Sequence, residues 1–237
     1  MHLRTTFIIM LACINCLAVT VPSSTRSKEV VARVEPTLKT VLTKQGVSIG
    51  APVFLRIFKE PATLEVWVQK NEAFLLFRTY PIRAFSGKLG PKLKEGDGQA
   101  PEGCYAVKPV QMNPNSRFHL SFDLGYPNTF DRALGRTGSA LMVHGSFVSI
   151  GCYAMGDENI EEIWTLCYRA LEHGQPFFRV HCFPFPLTQA NQDAHKKNPW
   201  SAFWSDLKPV YEHFENKRVP PDVTVCDGHY TIKEPTK

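Results

Sequence analysis

Short runs rich in Val, Phe, Leu and Trp alternate with turn residues in the first half of the chain. The runs are Val53–Phe58, Thr63–Gln69 and Ala73–Phe85, and segments such as Glu60-Pro61 separate them. β-Branched and aromatic runs bounded by turns are typical of strands. The pattern therefore predicts a β-meander that opens the folded domain near Pro52.

Three further apolar runs predict strands at 105–110, 141–144 and 177–183. The segment from 86 to 103 is too rich in Gly, Pro and Lys for a helix or a central strand, so it predicts a long loop. Loops of this length in compact domains are often functional. Asn, Pro and Gly residues predict a second surface loop region at 113–138.

Helical periodicity is clearest in Ile160–Leu171, where apolar residues return to one face. Asp157 is the predicted N-cap of this helix, and Gly174 lies beyond its end. A second apolar stripe covers Trp200–Phe214, where Pro209 kinks or interrupts the helix. We expect both stripes to face the core, because apolar stripes on helices usually do.

The two ends of the chain differ in pattern. Val223–Ile232 surrounds Asp227-Gly228, a pair that is typical of a tight β-hairpin turn. From Val19 to Gly50 the sequence shows no sustained periodicity, which predicts a linker with one short helix.

The first 18 residues have the pattern of an export signal. Arg4 is basic, Phe7–Leu17 is apolar, and Cys16-Leu17-Ala18 has the small-x-small form of a cleavage site. The apolar run is shorter than the roughly 20 residues that a membrane-spanning helix needs, so the mature protein is predicted to have no stable span. Lipidation of Cys13 remains an alternative.

Composition is that of an ordinary soluble globular protein, with 43% hydrophobic and 21% charged residues. Removal of Arg4 with the signal peptide lowers the formal net charge by one from +5. This excess is too small and dispersed to indicate nucleic-acid binding, although it suits an anionic polymer.

Five cysteines follow the predicted signal peptide, and the odd number indicates at least one free thiol in an oxidising compartment. Either one thiol is reactive and the others pair, or several are buried and unpaired. The four other than Cys152 allow three disulfide pairings, among Cys104, Cys167, Cys182 and Cys226.

One Gly-rich segment carries a histidine and a cysteine that fit nucleophilic catalysis. A cysteine attacks as its thiolate, so it needs an imidazole within hydrogen-bond reach, and His144 and Cys152 are the candidate base and nucleophile. Gly145 and Gly151 permit tight turns, backbone N–H groups near Cys152 suit an oxyanion, and Ser149 orients the histidine or braces the loop. A buried cysteine and a core histidine would give the same pattern.

Three motifs together resemble one enzyme family. They are H-G-x-x-x-S-x-G-C-Y-A-M at 144–155, P-E-G-x-Y at 101–105 and S-G-x-x-G-P-K at 86–92. They resemble the YkuD-type L,D-transpeptidases, and specifically the YafK-like branch, over roughly residues 52–188.

The resemblance implies a mostly β (α+β) catalytic domain with a β-sandwich or meander core, short helices and a C-terminal helix plus hairpin. It implies Cys152 as nucleophile, His144 as proton donor and acceptor, and no cofactor. The predicted division is a signal peptide at 1–18, a linker at 19–51, the catalytic domain at 52–188 and an extension at 189–237 that packs on it.

The implied activity is acyl transfer on peptidoglycan in the periplasm, through an acyl-enzyme with a diaminopimelate-containing stem peptide. Transfer to an amine makes a cross-link, whereas transfer to water makes a hydrolase that releases cross-links or a murein-bound lipoprotein. A peptidoglycan-binding module without turnover and a general cysteine peptidase are the rival hypotheses.

The chain departs from the usual family motif in two ways. Most members have S-H-G-C after a longer loop, whereas this chain has Ile150 in place of the second histidine. Tyr153 follows the cysteine where a basic or amide residue is usual, so carboxylate recognition is expected elsewhere. The candidate substrate-binding residues are Arg83, Lys88, Lys92, Arg136 and Tyr153.

A metal site is not expected, because the sequence after the predicted signal peptide contains no C-x-x-C or H-E-x-x-H spacing. Gly96-Asp97-Gly98 lacks the following helix and the further glycines of a phosphate-binding loop.

Overall fold

The computed structural model describes residues 20–233, so the predicted signal peptide and the alternative lipidation site at Cys13 lie outside the described residues. No helix between residues 20 and 233 is long and apolar enough to cross a membrane. The described chain folds as two five-stranded sheets, five α-helices and a C-terminal hairpin. The predicted mostly β (α+β) class is confirmed.

The strands, in chain order, are β1 (Val53–Phe58), β2 (Thr63–Lys70), β3 (Ala73–Pro81), β4 (Ala84–Phe85), β5 (Gly103–Val107), β6 (Met112–Asn113), β7 (Ser121–Asp123), β8 (Met142–His144), β9 (Tyr153–Ala154), β10 (Phe178–Phe183), β11 (Val223–Cys226) and β12 (His229–Ile232). The α-helices are α1 (Thr25–Lys44), α2 (Thr129–Ala133), α3 (Asp157–Glu172), α4 (Gln189–His195) and α5 (Ser201–Lys217), and a 3₁₀ turn occupies Pro109–Gln111.

The first sheet has the strand order β3-β2-β1-β10-β5, and β1 pairs parallel to β10 and antiparallel to β2. All six residues of β1 are buried. The reason is that the main core covers one face of this sheet, while α5 covers the other with side chains such as Trp204 and Leu207. The predicted meander is present as β1–β3, but the predicted run 73–85 divides, because β4 joins the second sheet.

The second sheet has the order β4-β9-β8-β7-β6, in which β8 and β9 are parallel. Its strand β7 and the helix α2 lie in the segment predicted as a surface loop region at 113–138, and that prediction is wrong for these two elements. Phe122 of β7 is fully buried, with its ring edge-on to Phe178 at 5.2 Å. A strand of three residues is too short to show its alternation in the sequence.

The segment predicted as a linker at 19–51 contains α1, a helix of 20 residues, so the linker prediction is wrong there. Ser24 caps the helix in a reciprocal capping box with Ser27. Side chains at a spacing of four residues line its inner face, and they join the main core: Val30, Val34, Leu38 and Leu42.

The other predicted elements form with small differences. The helix α3 has Gly156 as its N-cap, and the predicted cap Asp157 is its first residue. The helix α5 continues through Pro209 without interruption. In the hairpin, Asp227 and Gly228 both have positive φ, at 51° and 77°, as a type I′ turn requires.

Candidate active site

The parallel pairing of β8 and β9 brings the predicted catalytic histidine and cysteine to one face of the second sheet. His144 pairs with Ala154 in register, and Cys152 lies immediately before β9, where Met142 N–H points to its sulfur at 3.4 Å. Side chains alternate along a strand, so Met142 and His144 share a face while Val143 points into the core. Cys152 therefore lies on the same face of β8 as the imidazole.

The tautomer of His144 follows from its neighbour. Nδ1–H donates a hydrogen bond to the carbonyl oxygen of Gly145 at 2.5 Å, because a carbonyl can only accept. The ring lies over Phe118 with centroids 4.6 Å apart. Burial lowers the pKa of His144, although the bond to Gly145 opposes the shift. The imidazole is thus neutral near pH 7, with Nε2 available to accept a proton.

The Cys152 thiol is half-buried and held between two backbone groups. Its sulfur accepts from Met142 N–H, and its S–H points to Ala140 O at 3.6 Å. Burial raises the pKa of Cys152, while the Met142 N–H opposes the shift. Within residues 20–233, His144 and Cys152 form no hydrogen bond with each other. At rest the thiol and the imidazole are both neutral.

The loop between the pair begins at a position that only glycine fits. A Cβ on Gly145 would lie 2.6 Å from Asp157 Oδ1 and 2.7 Å from Phe118 O. Asp157 Oδ1 also accepts the N–H of Ser146 at 2.7 Å. The first residue of α3 thus anchors the loop that follows His144, a role that sequence reasoning missed.

The loop ends on a serine from the first Gly-rich motif. Gly151 has φ of +108°, and its N–H donates to Ser86 Oγ at 2.6 Å. Ser86 Oγ in turn donates to Gly98 O at 2.7 Å. Ser149 Oγ donates to Cys152 O at 2.7 Å, so it braces the loop. Because Ser86 takes the Gly151 N–H, the predicted oxyanion donor at Gly151 is already engaged.

A buried ion pair fixes the long loop that carries Ser86. Lys59 and Glu102 are fully buried, with Nζ and Oε1 3.0 Å apart. Glu102 also accepts from Gly90 N–H at 2.7 Å and from Trp204 Nε1 at 2.8 Å. Burial lowers the pKa of Lys59, and the charge of Glu102 opposes this. The P-E-G motif therefore clamps the loop to β1 and α5.

Two of the predicted substrate-binding cations are engaged inside the protein. Lys92 Nζ lies 2.5 Å from Asp97 Oδ1, and Arg136 donates to Asp131 Oδ1 at 2.8 Å. Both cations are more than nine-tenths buried. Each carboxylate partner lies five positions away in the sequence, and in this structure neither cation is available to a substrate.

Tyr153 is also unavailable, because it is fully buried and its hydroxyl donates to Pro101 O at 2.7 Å. This corrects its prediction as a substrate-binding residue, since side chains alternate and Tyr153 points to the opposite face from Cys152. Arg83 and Lys88 are exposed and remain candidates.

An open groove of about 950 Å³ begins at the two residues that touch the sulfur, Ala140 and Met142. Asp123 and Arg132 line it further along, and sequence reasoning identified neither. Burial raises the pKa of Asp123, and the N–H of Gly125 opposes the shift. Their positions depend on β7 and α2, which the sequence pattern did not show.

The remaining cysteines are unpaired. Cys104, Cys167, Cys182 and Cys226 are free thiols like Cys152, and two of them are buried. The described residues contain no cluster of three or more His, Cys, Asp or Glu side chains that would hold a metal ion.

The chain is similar to solved structures only at low sequence identity. Among solved structures, the cell-shape-determining protein Pgp2 of Campylobacter jejuni is 17% identical with a TM-score of 0.45, and the match covers 80% of each chain. A point-mutant structure of Pgp2 is 20% identical to this chain with a TM-score of 0.47, and the match covers 70% of this chain and 56% of that one. Bd1075 of Bdellovibrio bacteriovorus is 20% identical with a TM-score of 0.40, and the match covers 70% of this chain and 60% of that one.

Sequence relatives are nearer. The chain is 44% identical over 187 residues to "Putative L,D-transpeptidase YafK" of Escherichia coli K12, covering 79% of this chain and 76% of the relative. The same values hold for the protein of that name in strain O157:H7. A family model for the YkuD L,D-transpeptidase catalytic domain matches residues 56–178. The chain therefore belongs to the YkuD family of L,D-transpeptidase catalytic domains.

Proposed function

We propose that the protein is a peptidoglycan L,D-transpeptidase that forms an acyl-enzyme on Cys152 with a diaminopimelate-containing stem peptide. The observation that carries the proposal is the hydrogen bond from His144 Nδ1–H to Gly145 O. It leaves Nε2 as the proton acceptor on the face of β8 where the thiol lies. Family membership supports the substrate class.

In the first step the sulfur of Cys152 attacks the carbonyl that follows the L-centre of diaminopimelate. A C–S bond forms as the thiol proton moves to His144 Nε2, which avoids a buried thiolate before substrate binds. Because Gly151 N–H is engaged, the N–H of Cys152 itself is the candidate donor to the oxyanion. The amide C–N bond then breaks, and the imidazolium returns its proton to the leaving amine.

In the second step an acceptor amine attacks the thioester, His144 takes the proton of the amine, and the imidazolium gives it to the Cys152 sulfur as the C–S bond breaks. Exposed cations near the site, Arg83 and Lys88, are proposed to bind carboxylates of the stem peptide. The protein is proposed to act in the periplasm after export through residues 1–18, since its substrate lies outside the cytoplasm.

Hydrolysis is the second candidate, with water as the acceptor and a cross-link or a murein-bound lipoprotein as the released group. It is favoured by the exposure of the loop beside the sulfur, where the side chain of Ile150 is 88% exposed. An apolar side chain there supplies no hydrogen bond to orient an acceptor amine.

The test is mass spectrometry of muropeptides after incubation with the purified protein, with and without a D-amino acid as added amine. The variants are Cys152→Ala and, as a matched control, Cys226→Ala, which removes another free thiol. We expect product from the wild type and the control only. If the terminal residue of the stem peptide is replaced by the added D-amino acid, the activity is transfer. If the terminal residue is lost without replacement, the activity is hydrolysis.

Product from Cys152→Ala would refute the proposed nucleophile. Binding of muropeptides by the wild type without any product would instead support a non-catalytic binding module.

A further inference from the structure

A second groove of about 750 Å³ lies between β5 and the C-terminal strand β11. In the described fold, β5 is the last strand of the first sheet, and β11 pairs only with β12. Each strand therefore has one edge that no other strand of the described fold pairs with. Unpaired strand edges are templates for the backbone of another extended chain.

The edge of β5 can be traced from its hydrogen bonds. The N–H of Cys104 donates to Tyr230 Oη at 3.4 Å, and its carbonyl accepts from Asn128 Nδ2 at 2.8 Å, so both groups point away from β10. Backbone direction alternates along a strand, so the N–H and C=O of Ala106 point the same way. Ala106 is exposed and lines the groove.

The edge of β11 follows in the same manner. The N–H of Lys233 donates to Asp222 O at 2.8 Å, which turns the backbone of Asp222 towards β12. By alternation, the backbone groups of Val223 and Val225 point away from β12. Both residues line the groove. Two strand edges thus contribute backbone donors and acceptors to one cleft.

The side chains of the groove give it a positive charge. Lys108, Arg132 and Arg179 line it, and the acidic residue among its lining side chains, Asp222, pairs with Arg179 at 3.1 Å. His181 also lines the groove, is 1% exposed, and its Nδ1 has no hydrogen-bond partner within the described structure. An unpartnered buried polar atom is uncommon and indicates a missing partner.

We propose that this groove binds an extended all-L polypeptide segment that carries carboxylates. Pairing with a strand edge supplies main-chain hydrogen bonds, while the cations select acidic side chains. A stem peptide, in which L- and D-residues alternate, cannot keep its N–H and C=O groups in the register of a strand. The facing edges therefore favour a polypeptide over the peptidoglycan peptide itself.

The groove is continuous with the one that begins beside Cys152, because Gln111, Gly125 and Arg132 line both. A bound segment therefore extends towards the sulfur, so that a group at its end becomes an acyl acceptor or a leaving group. This consequence rests on the proposed function, whereas the binding itself does not.

The test uses fluorescence anisotropy with an octapeptide of alternating L-Val and L-Glu labelled with fluorescein. It is measured on the Cys152→Ala protein, so that a failure of the proposed chemistry has no effect on the result. Ala106→Pro removes the outward N–H at an edge position that tolerates proline. Lys108→Gln removes a groove cation, and Lys39→Gln is the matched control on the exposed face of α1.

We expect Ala106→Pro and Lys108→Gln each to weaken binding by about threefold to tenfold, since each removes one hydrogen bond or charge contact. Lys39→Gln should have no effect, and a Val-Lys octapeptide should bind at least about tenfold more weakly. Hydrogen exchange at the amides of Ala106 and Val223 should slow when the Val-Glu peptide is added.

Three results would each overturn the proposal. One is the absence of saturable binding up to about 1 mM peptide, which corresponds to less than about 4 kcal/mol of binding free energy. Another is an affinity that Ala106→Pro leaves unchanged while circular dichroism shows a folded variant. The third is a stem tetrapeptide that binds in an Ala106-dependent way when the all-L peptide does not.

Discussion

His144 and Gly145 are joined by a 2.5 Å hydrogen bond from Nδ1–H to the carbonyl oxygen, and this bond determines which ring nitrogen is free to accept a proton. Burial lowers the pKa of His144 and raises the pKa of Cys152. The two groups are therefore both neutral over a wide pH range. In the proposed mechanism the thiol proton therefore moves during the attack, and no thiolate is present before substrate binds.

The pH profile of kcat/KM should reflect this neutral pair. A protonated imidazole cannot accept the thiol proton, and the lowered pKa of His144 keeps the ring neutral to below its ordinary value of 6.5. We expect the acid limb for muropeptide turnover to have its midpoint below pH 6.5. A midpoint clearly above 6.5 would instead indicate a thiolate–imidazolium pair.

Ser86→Ala should reduce turnover more than stability. The change removes the acceptor of Gly151 N–H and the donor to Gly98 O, which frees the loop beside Cys152. We expect a cost of about 1 kcal/mol in urea unfolding and a fall in kcat of at least about tenfold. Ser205→Ala, an exposed serine in α5, is the control that should change neither.

If Ser86→Ala keeps the wild-type kcat, the loop is held by other contacts. An increase in KM alone would also contradict the prediction, since the serine is expected to position the nucleophile and not the substrate.

Lys59→Met should destabilise the protein by about 3 to 5 kcal/mol, because it leaves the Glu102 carboxylate buried without its counter-charge. The double variant Lys59→Met with Glu102→Gln should recover a large part of this loss, since no charge then remains buried. Urea unfolding of the wild type, the two single variants and the double variant measures the coupling energy between the two side chains. Additive effects of the two changes would show that the ion pair does not act as a unit.

His181 should make folding weaker in acid. Burial lowers its pKa from 6.5 to about 3, aided by the charges of Arg179 and Arg56, so the unfolded chain binds a proton that the folded chain excludes. The free energy of unfolding should fall as pH falls through 6.5, by about 1.4 kcal/mol per pH unit for this group down to about pH 3.

The control for this effect is His181→Phe, which suits neighbours such as Phe54 and Phe183. The difference in unfolding free energy between wild type and variant should depend on pH as described. A difference that is constant between pH 7 and pH 4 would contradict the prediction.

Arg83→Gln and Arg136→Gln should affect different quantities. Arg83 is exposed, so its loss should raise KM about tenfold and change the unfolding free energy by less than about 0.5 kcal/mol. Arg136 is buried against Asp131, so its loss should lower the free energy of unfolding by about 3 to 5 kcal/mol. The substitution at Arg83 would count against its proposed role if KM stayed at the wild-type value.

The sequence predicts most clearly those elements whose signal is local. Strand β1 has the predicted bounds, because a six-residue apolar run between turns has few other solutions. The hairpin turn forms at Asp227-Gly228, since few residue pairs adopt positive φ so readily. The position of His144 at the end of β8 follows from the same kind of local pattern, whereas the two-residue strand β9 that follows Cys152 is too short to give one.

Features that depend on distant residues could not be predicted in this way. The acceptor of Gly151 N–H is Ser86, 65 positions away, and only the fold brings them together. Lysine and arginine are residue types expected at the surface, and Lys92 and Arg136 are buried because loops pack around them. In α1 the apolar spacing of four is visible from Val30 to Leu42, but Pro36 and many polar residues obscure it.

The position of α1 has a consequence for the order in which the protein matures. Arg33 pairs with Glu161, and Glu35 pairs with Arg169, across sequence separations of 128 and 134 residues. The helix is made early, yet its docking surface is completed only when α3 has been synthesised. The nascent chain therefore carries this apolar helix face without its α3 partner until residue 172 has been synthesised, which leaves the face open to association with other chains during that interval.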